Sequence, residues 1–262
     1  MIRMRMRAAK YRTWRLLLIC VTVWLVPMRV CAQTATVTGV VAITGSQPRH
    51  KGAGNAGVVV WLTPVGAAAP PGASGSMATG TSAAPAEKGR FTLVQKNKTF
   101  EPHILVVPVG SEVDFPNRDP IFHNVFSLFE GKRFDLGLYE SGTKRSLHFE
   151  RPGISFLFCN IHPEMSAVII ALETRYYGTS NHTGQITISD VPAGNYMLHV
   201  WREGSSIGAL KNLTRPISVS GNVVALEKLL VPGDVALPLT HKNKYGQDYT
   251  NPTPPGQVYD RP

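Results

Sequence analysis

The chain has 262 residues and a formal net charge of +10, enough length to bury its own core and enough charge to raise nucleic acid as a partner. The charge is not evenly spread: Arg3, Arg5, Arg7, Lys10, Arg12, Arg15 and Arg29 precede residue 33 with no acid among them, leaving 20 bases against 17 acids beyond it. A net charge of +3 there is no footprint for a polyanion, which excludes a nucleic-acid binder.

Residues 1–32 run from that basic head through the apolar stretch Leu16 to Met28 into Val30-Cys31-Ala32, the pattern of a secretory signal peptide cleaved near Ala32. The stretch is too short for a membrane span, which needs about 18 apolar residues, so the expectation is a periplasmic or secreted protein with no span after cleavage. An uncleaved N-terminal anchor is the alternative, and Arg29 argues against a lipid on Cys31. Cleavage removes Cys20 and Cys31 and leaves Cys159 alone, so an internal disulfide is impossible. A single thiol in an oxidising compartment is a liability unless buried or ligated.

The apolar runs that follow are short, β-branched and broken by Gly and Pro: Thr36 to Val41, Gly57 to Leu62, Ile104 to Val109, Ile154 to Phe158, Ala167 to Leu172, Gln185 to Ser189, Tyr196 to Trp201 and Val223 to Val231. None sustains a 3.6-residue period for three turns, so the chain is expected to be all-β. The best helix candidate, Asn222 to Leu230, reads equally well as a strand. Residues 64–86, nearly all Ala, Gly, Pro, Ser and Thr, read as a flexible linker, and 241–262 as a loosely held Pro-rich tail.

Mid-chain, His123 stands in Asn117-Arg118-Asp119-Pro120-Ile121-Phe122-His123-Asn124-Val125, and 36 residues later comes Cys159-Asn160-Ile161-His162-Pro163-Glu164-Met165. A thiolate, two imidazoles and a thioether form the donor set of a blue-copper electron-transfer site. A strand ending at Cys159 and a tight loop can turn three donors onto one ion, with His123 arriving from a neighbouring strand. Three other readings stay open: a buried inert thiol, a zinc site, and a Cys159–His162 nucleophile pair. The last lacks an evident oxyanion device or orienting acid, so the chain is not expected to be an enzyme. The remaining histidines never form His-x-His, which removes a paired-histidine trinuclear copper centre.

These residues resemble the cupredoxins, the type I blue-copper family that includes plastocyanin and amicyanin, and the short Cys-x2-His-x2-Met loop is most similar to the amicyanin type. The resemblance covers about residues 88–172, including Phe100-x-Pro102, Val109-Gly110-x-x-Val113-x-Phe115-x-Asn117 and the strand Ser166 to Leu172. It implies a Greek-key β-sandwich over 87–175 holding one type I copper ion. His123, Cys159 and His162 would be equatorial ligands and Met165 axial. It further implies that Asn124 ties the ligand loops together and that Phe122 lends its backbone near the metal. Phe122, Phe158 and Ile161 are expected to exclude water from the site.

A second pattern flanks this one, with Val37 to Val41 and Gly57 to Leu62 before it and Thr183-Gly184-Gln185-Ile186-Thr187-Ile188-Ser189-Asp190-Val191-Pro192-Ala193-Gly194-Asn195-Tyr196 after it. This resembles the carboxypeptidase-regulatory or transthyretin-like β-sandwich, here discontinuous over 33–63 and 176–235. Two strands alone are marginal in water, so strands 34–63 are expected to pair with strands 184–231. Chains of this composite kind are often called methylamine-utilisation-like. The expected function is a monomeric carrier of single electrons between periplasmic redox proteins, the alternative a copper- or partner-binding assembly module without an electron-transfer role.

Overall fold

The computed structural model describes residues 34–45, 54–66, 88–128, 131–235 and 240–249; the expected signal segment and most of the expected linker lie outside these. Among the described residues the chain is almost wholly β, with one short helix. In chain order come β1 (Thr34–Gly45), β2 (Val59–Pro64), β3 (Arg90–Thr92), β4 (Val94–Lys96), β5 (Thr99–Glu101), β6 (Ile104–Pro108), β7 (Ser111–Pro116), β8 (His123–Ser127) and β9 (Phe134–Tyr139). Then follow β10 (Lys144–Phe149), β11 (Gly153–Cys159), β12 (His162–Leu172), β13 (Tyr177–Thr179), β14 (Gln185–Pro192), β15 (Gly194–Trp201), α1 (Ile207–Leu213), β16 (Arg215–Val219), β17 (Val223–Ala225) and β18 (Leu229–Gly233).

Among the described residues four sheets stack around three apolar cores, and β4 and β5 form a separate two-stranded sheet. In the outermost, β1 is flanked by antiparallel β14 and by parallel β17 and β18. The next has the order β13-β2-β15-β16, the third β6-β12-β11-β8-β9, and the last β10-β7-β3. Strands that precede the middle of the chain thus pair with strands that follow it: Val37 lies opposite Ile188, and Leu62 opposite Leu198.

The two-sided apolar character of β2 and β12 follows from this stacking. Side chains alternate across a strand, so Val60 and Leu62 enter the core against β1 while Val59 and Trp61 face the third sheet. In β12 the residues Val168, Ile170 and Leu172 meet Val59 and Trp201, while Ala167, Ile169 and Ala171 enter the core that also holds Cys159. Fully burying each such Val, Leu or Ile contributes roughly 1.5–3 kcal/mol.

A bulge adjusts the register of β1 and β14 between Ala35 and Val37. Asp190 sits there at φ 56°, and the shift returns Val191 to the buried face after Ile186 and Ile188. The hydroxyl of Tyr196 donates to the carbonyl of Pro192 at 2.9 Å and closes the Val-Pro-x-Gly-x-Tyr turn. The candidate segment Asn222 to Leu230 is no helix: it divides into β17 and the start of β18. The helix that does form is only seven residues long, capped by Ser206, whose hydroxyl accepts from the Ala209 amide at 3.3 Å. Too brief to show a period, it was invisible to pattern reading.

Gly184 is the tightest backbone approach. Its φ is +84°, and a Cβ there would lie 2.1 Å from the Val41 carbonyl oxygen, while its own carbonyl accepts from the Val41 amide at 2.8 Å. Gly184→Ala is expected to cost at least about 2 kcal/mol, read as a lower urea midpoint at unchanged slope.

Candidate metal centre

Three adjacent strands bring the donors to one end of the third sheet. His123 opens β8, Cys159 ends β11 and His162 opens β12, with Cys159 and His162 directly opposite across the tight turn. His123 and Cys159 are fully buried and His162 is half-buried. Nδ1 of His123 lies 3.6 Å from the Cys159 sulfur and Nδ1 of His162 lies 3.5 Å from it, the three ligand atoms all within 4.8 Å of one another. Imidazole and thiolate bound to one ion at about 2.0 and about 2.3 Å, with angles of about 110–120°, stand about 3.5–3.7 Å apart. The cluster therefore fits a single transition-metal ion.

The electrostatics suit a soft divalent or monovalent cation. Burial pushes the Cys159 thiol up, and the backbone N–H groups of Asn124, Ile161 and His162 offset only part of that. Burial, and then the neighbouring His123, lower His162, which keeps its imidazole neutral and available as a donor. Cys159 would give up its thiol proton to hold an ion here, whose charge would compensate the buried thiolate.

Asn124 joins the two ligand-bearing segments. Its Oδ1 accepts from the Asn160 amide at 3.2 Å, and its Nδ2 donates to Asp135 at 2.7 Å and to the Gly137 carbonyl at 3.0 Å. Met165 is buried in the same apolar cluster as Cys159. The water-excluding role expected of Phe122, Phe158 and Ile161 falls elsewhere. Phe122 and Ile161 are 52% and 45% exposed, and period-two alternation turns Phe158 to the opposite face of the sheet from Cys159. Water is kept from the thiol instead by Phe115, Val125, Leu157, Met165 and their neighbours in that core.

Two features escaped the sequence reading. The first is Asp119, whose buried carboxylate accepts from Nε2 of His123 at 2.7 Å. That contact leaves Nδ1 as the metal-facing nitrogen. The same carboxylate accepts from the amides of Asn97 and Lys98 at 2.6 and 2.8 Å, both of which sit at φ 54°. Burial pushes Asp119 up, but the Lys98 amide, His123 and the Asn97 amide together hold it below the usual carboxylate range.

The second is the tail, expected to be loosely held. Its described part, residues 240–249, straps the ligand loop. The His241 amide donates to the Pro163 carbonyl at 2.9 Å, and Nε2 of His241 lies 3.1 Å from the carbonyl of His162. The Lys244 amide donates to Asn160 Oδ1 at 2.8 Å, and the Tyr249 hydroxyl to the Cys159 carbonyl at 3.1 Å. The ammonium of Lys244 meets Asp135 at 2.8 Å, and burial raises the Tyr249 hydroxyl to about 12, which keeps it a donor. Polar composition hid this because most of the contacts are hydrogen bonds rather than apolar packing, although the His241 ring also lies 4.5 Å from that of Phe158 and 6.0 Å from that of Phe126. Ending the chain after Leu239 is expected to release bound metal about tenfold faster, since each lost hydrogen bond is worth about 0.5–1.5 kcal/mol. Stopped-flow transfer to a chelator measures it.

No helix among the described residues is long and apolar enough to cross a membrane. No family model and no curated protein matches the chain. Among solved structures, a purple cupredoxin from Nitrosopumilus maritimus is 23% identical over 32% of this chain and 100% of its own, at a TM-score of 0.29. An amicyanin variant in its reduced state is 23% identical over 32% of this chain and 82% of its own, at 0.30. A copper-containing nitrite reductase from Thermus scotoductus is 20% identical over 51% of this chain and 28% of its own, at 0.31.

Proposed function

We propose that the chain is an exported type I copper protein that carries single electrons between periplasmic redox proteins and makes or breaks no bonds itself. The observation that carries this reading is the buried thiol held between two Nδ1 atoms at 3.5 and 3.6 Å, with a methionine in the same core. His123, Cys159 and His162 would hold one copper ion, and Met165 would add a thioether donor from the same core. Bound there, copper supplies a one-electron couple. The protein's part is to hold the donors still: Asp119 locks His123, Asn124 ties β8 to the ligand loop, and the strap fixes the loop from outside. Donors that keep their places in both redox states keep reorganisation small. His162 is the half-buried member, so its ring is the route to solvent or a partner. Exposed Phe122 and Ile161 form an apolar rim that a partner could dry. In the same reading residues 87–175 are a cupredoxin domain, set within a discontinuous carboxypeptidase-regulatory-like sandwich over 33–63 and 176–235.

Reversible cycling between a blue oxidised form and a colourless reduced form tests the proposal. A colourless copper complex, or zinc held as isolated with no uptake of copper, would overturn it and favour a binding or assembly module. Met165→Gln is expected to retain copper and lower the reduction potential, because an amide oxygen favours Cu2+ over Cu+ relative to a thioether. An unchanged potential in voltammetry would make Met165 a packing residue.

A further inference from the structure

On the opposite face of β11 from Cys159 lies a half-open cavity of about 630 Å³, between the third sheet and the β2 sheet. Its walls include Trp61, Phe156, Phe158 and Trp201, with Arg202 and Lys211 among the lining residues. The size is that of a small-molecule site, and aromatic walls with a few polar groups are what such sites present.

The charged and polar groups around it differ in how far they are committed. His199 is stacked on Trp61 at 5.1 Å and shares a 2.8 Å hydrogen bond with Thr63, and burial lowers it toward the neutral form. Glu203 is engaged by His103 at 2.7 Å. Arg202 is half-buried, with its guanidinium against the backbone of Gly233; Glu203 and Asp234 lie near enough to offset part of the effect of its burial, and among the described residues neither meets it at ion-pair distance. The planar guanidinium fork of a residue that lines an apolar cleft matches a carboxylate, and flat aromatic walls match a flat ring.

We infer that this cavity binds a planar aromatic carboxylate of one or two rings, its ring among Trp61, Phe156 and Trp201 and its carboxylate on Arg202. Lys211, on the exposed helix α1, adds attraction at the mouth. The site needs no metal, so it stands or falls apart from the copper reading.

Calorimetric titration of the metal-free full-length protein with 2-naphthoate tests it, with the uncharged 2-naphthamide as comparison. The naphthoate is expected to bind at one site at least tenfold more tightly than the amide, the effect of a charge-assisted hydrogen bond in a partly dry cleft. Arg202→Gln is expected to abolish that preference and leave the amide's affinity unchanged. Equal affinity of the two compounds for the wild-type protein would overturn the inference even if the variant fails to fold. So would an undiminished preference in Arg202→Gln, or no saturable naphthoate binding below about 1 mM, where the free energy is only about 4 kcal/mol.

Discussion

Copper-loaded Cys159→Ser is expected to be colourless where the unaltered protein is intensely blue. Charge transfer from a thiolate to Cu2+ needs a sulfur ligand, and Cys159 is the one cysteine beyond residue 32. The substitution should leave the fold in place. Serine is smaller than cysteine, and the backbone N–H groups of Asn124, Ile161 and His162 already converge where its oxygen would lie. A serine hydroxyl keeps its proton at neutral pH and is a poor ligand, so copper affinity should fall steeply along with the colour. His123→Ala, by contrast, removes a buried donor and leaves Asp119 without its imidazole partner, and should cost the site itself. An absorption spectrum of each copper-loaded form checks both. An intense band that survived in Cys159→Ser would remove the thiol from the centre.

The all-β character was readable because short β-branched runs broken by Gly and Pro leave no room for a sustained helical period. The donor cluster was readable for a different reason. Cys159 and His162 are close in sequence, and a strand end followed by a tight turn must bring them together, so only His123 had to be placed at long range. The unbroken apolar run Val58 to Leu62 is likewise what a strand covered on both sides requires, and β2 is such a strand. The short strands β3, β4, β5, β9 and β10 gave no such signal, since they carry exposed, polar or charged residues and hold their places by pairing rather than by pattern. Asp119 and the strap were missed because their roles depend on where backbone amides point. Asn97 and Lys98 offer theirs to Asp119 only after adopting φ 54°, and Tyr249 finds the Cys159 carbonyl across 90 residues of chain. Composition is silent about such contacts.

Asp119→Asn is expected to weaken metal binding by about 10–100-fold without touching a ligand, the usual cost of removing the carboxylate behind a ligating histidine. The ionised carboxylate accepts three hydrogen bonds, from His123 Nε2 and from the Asn97 and Lys98 amides. An asparagine amide has one oxygen for them and turns an NH2 group toward at least one N–H, so a donor is left facing a donor in a buried site. His123 then loses the partner that fixes its tautomer, and the turn at Asn97-Lys98 loses the anion that holds two positive-φ residues in place. Charge-assisted bonds of this kind are worth about 1.5–3 kcal/mol each when buried, so the metal-free protein should also be destabilised. The pH dependence has a definite sign. Asp119 titrates lower in the folded protein than its unfolded value of about 3.9, so its contribution is complete above about pH 4 and is lost as the pH falls through the folded value. The gap in melting temperature between the unaltered protein and Asp119→Asn should therefore be full at pH 7 and close progressively below pH 4. Competition titration with a chelator at pH 7 and thermal melts from pH 3 to 7 measure the two effects separately. An affinity unchanged in Asp119→Asn, with only the melting temperature lowered, would make Asp119 a support of the Asn97-Lys98 turn and not of the metal centre.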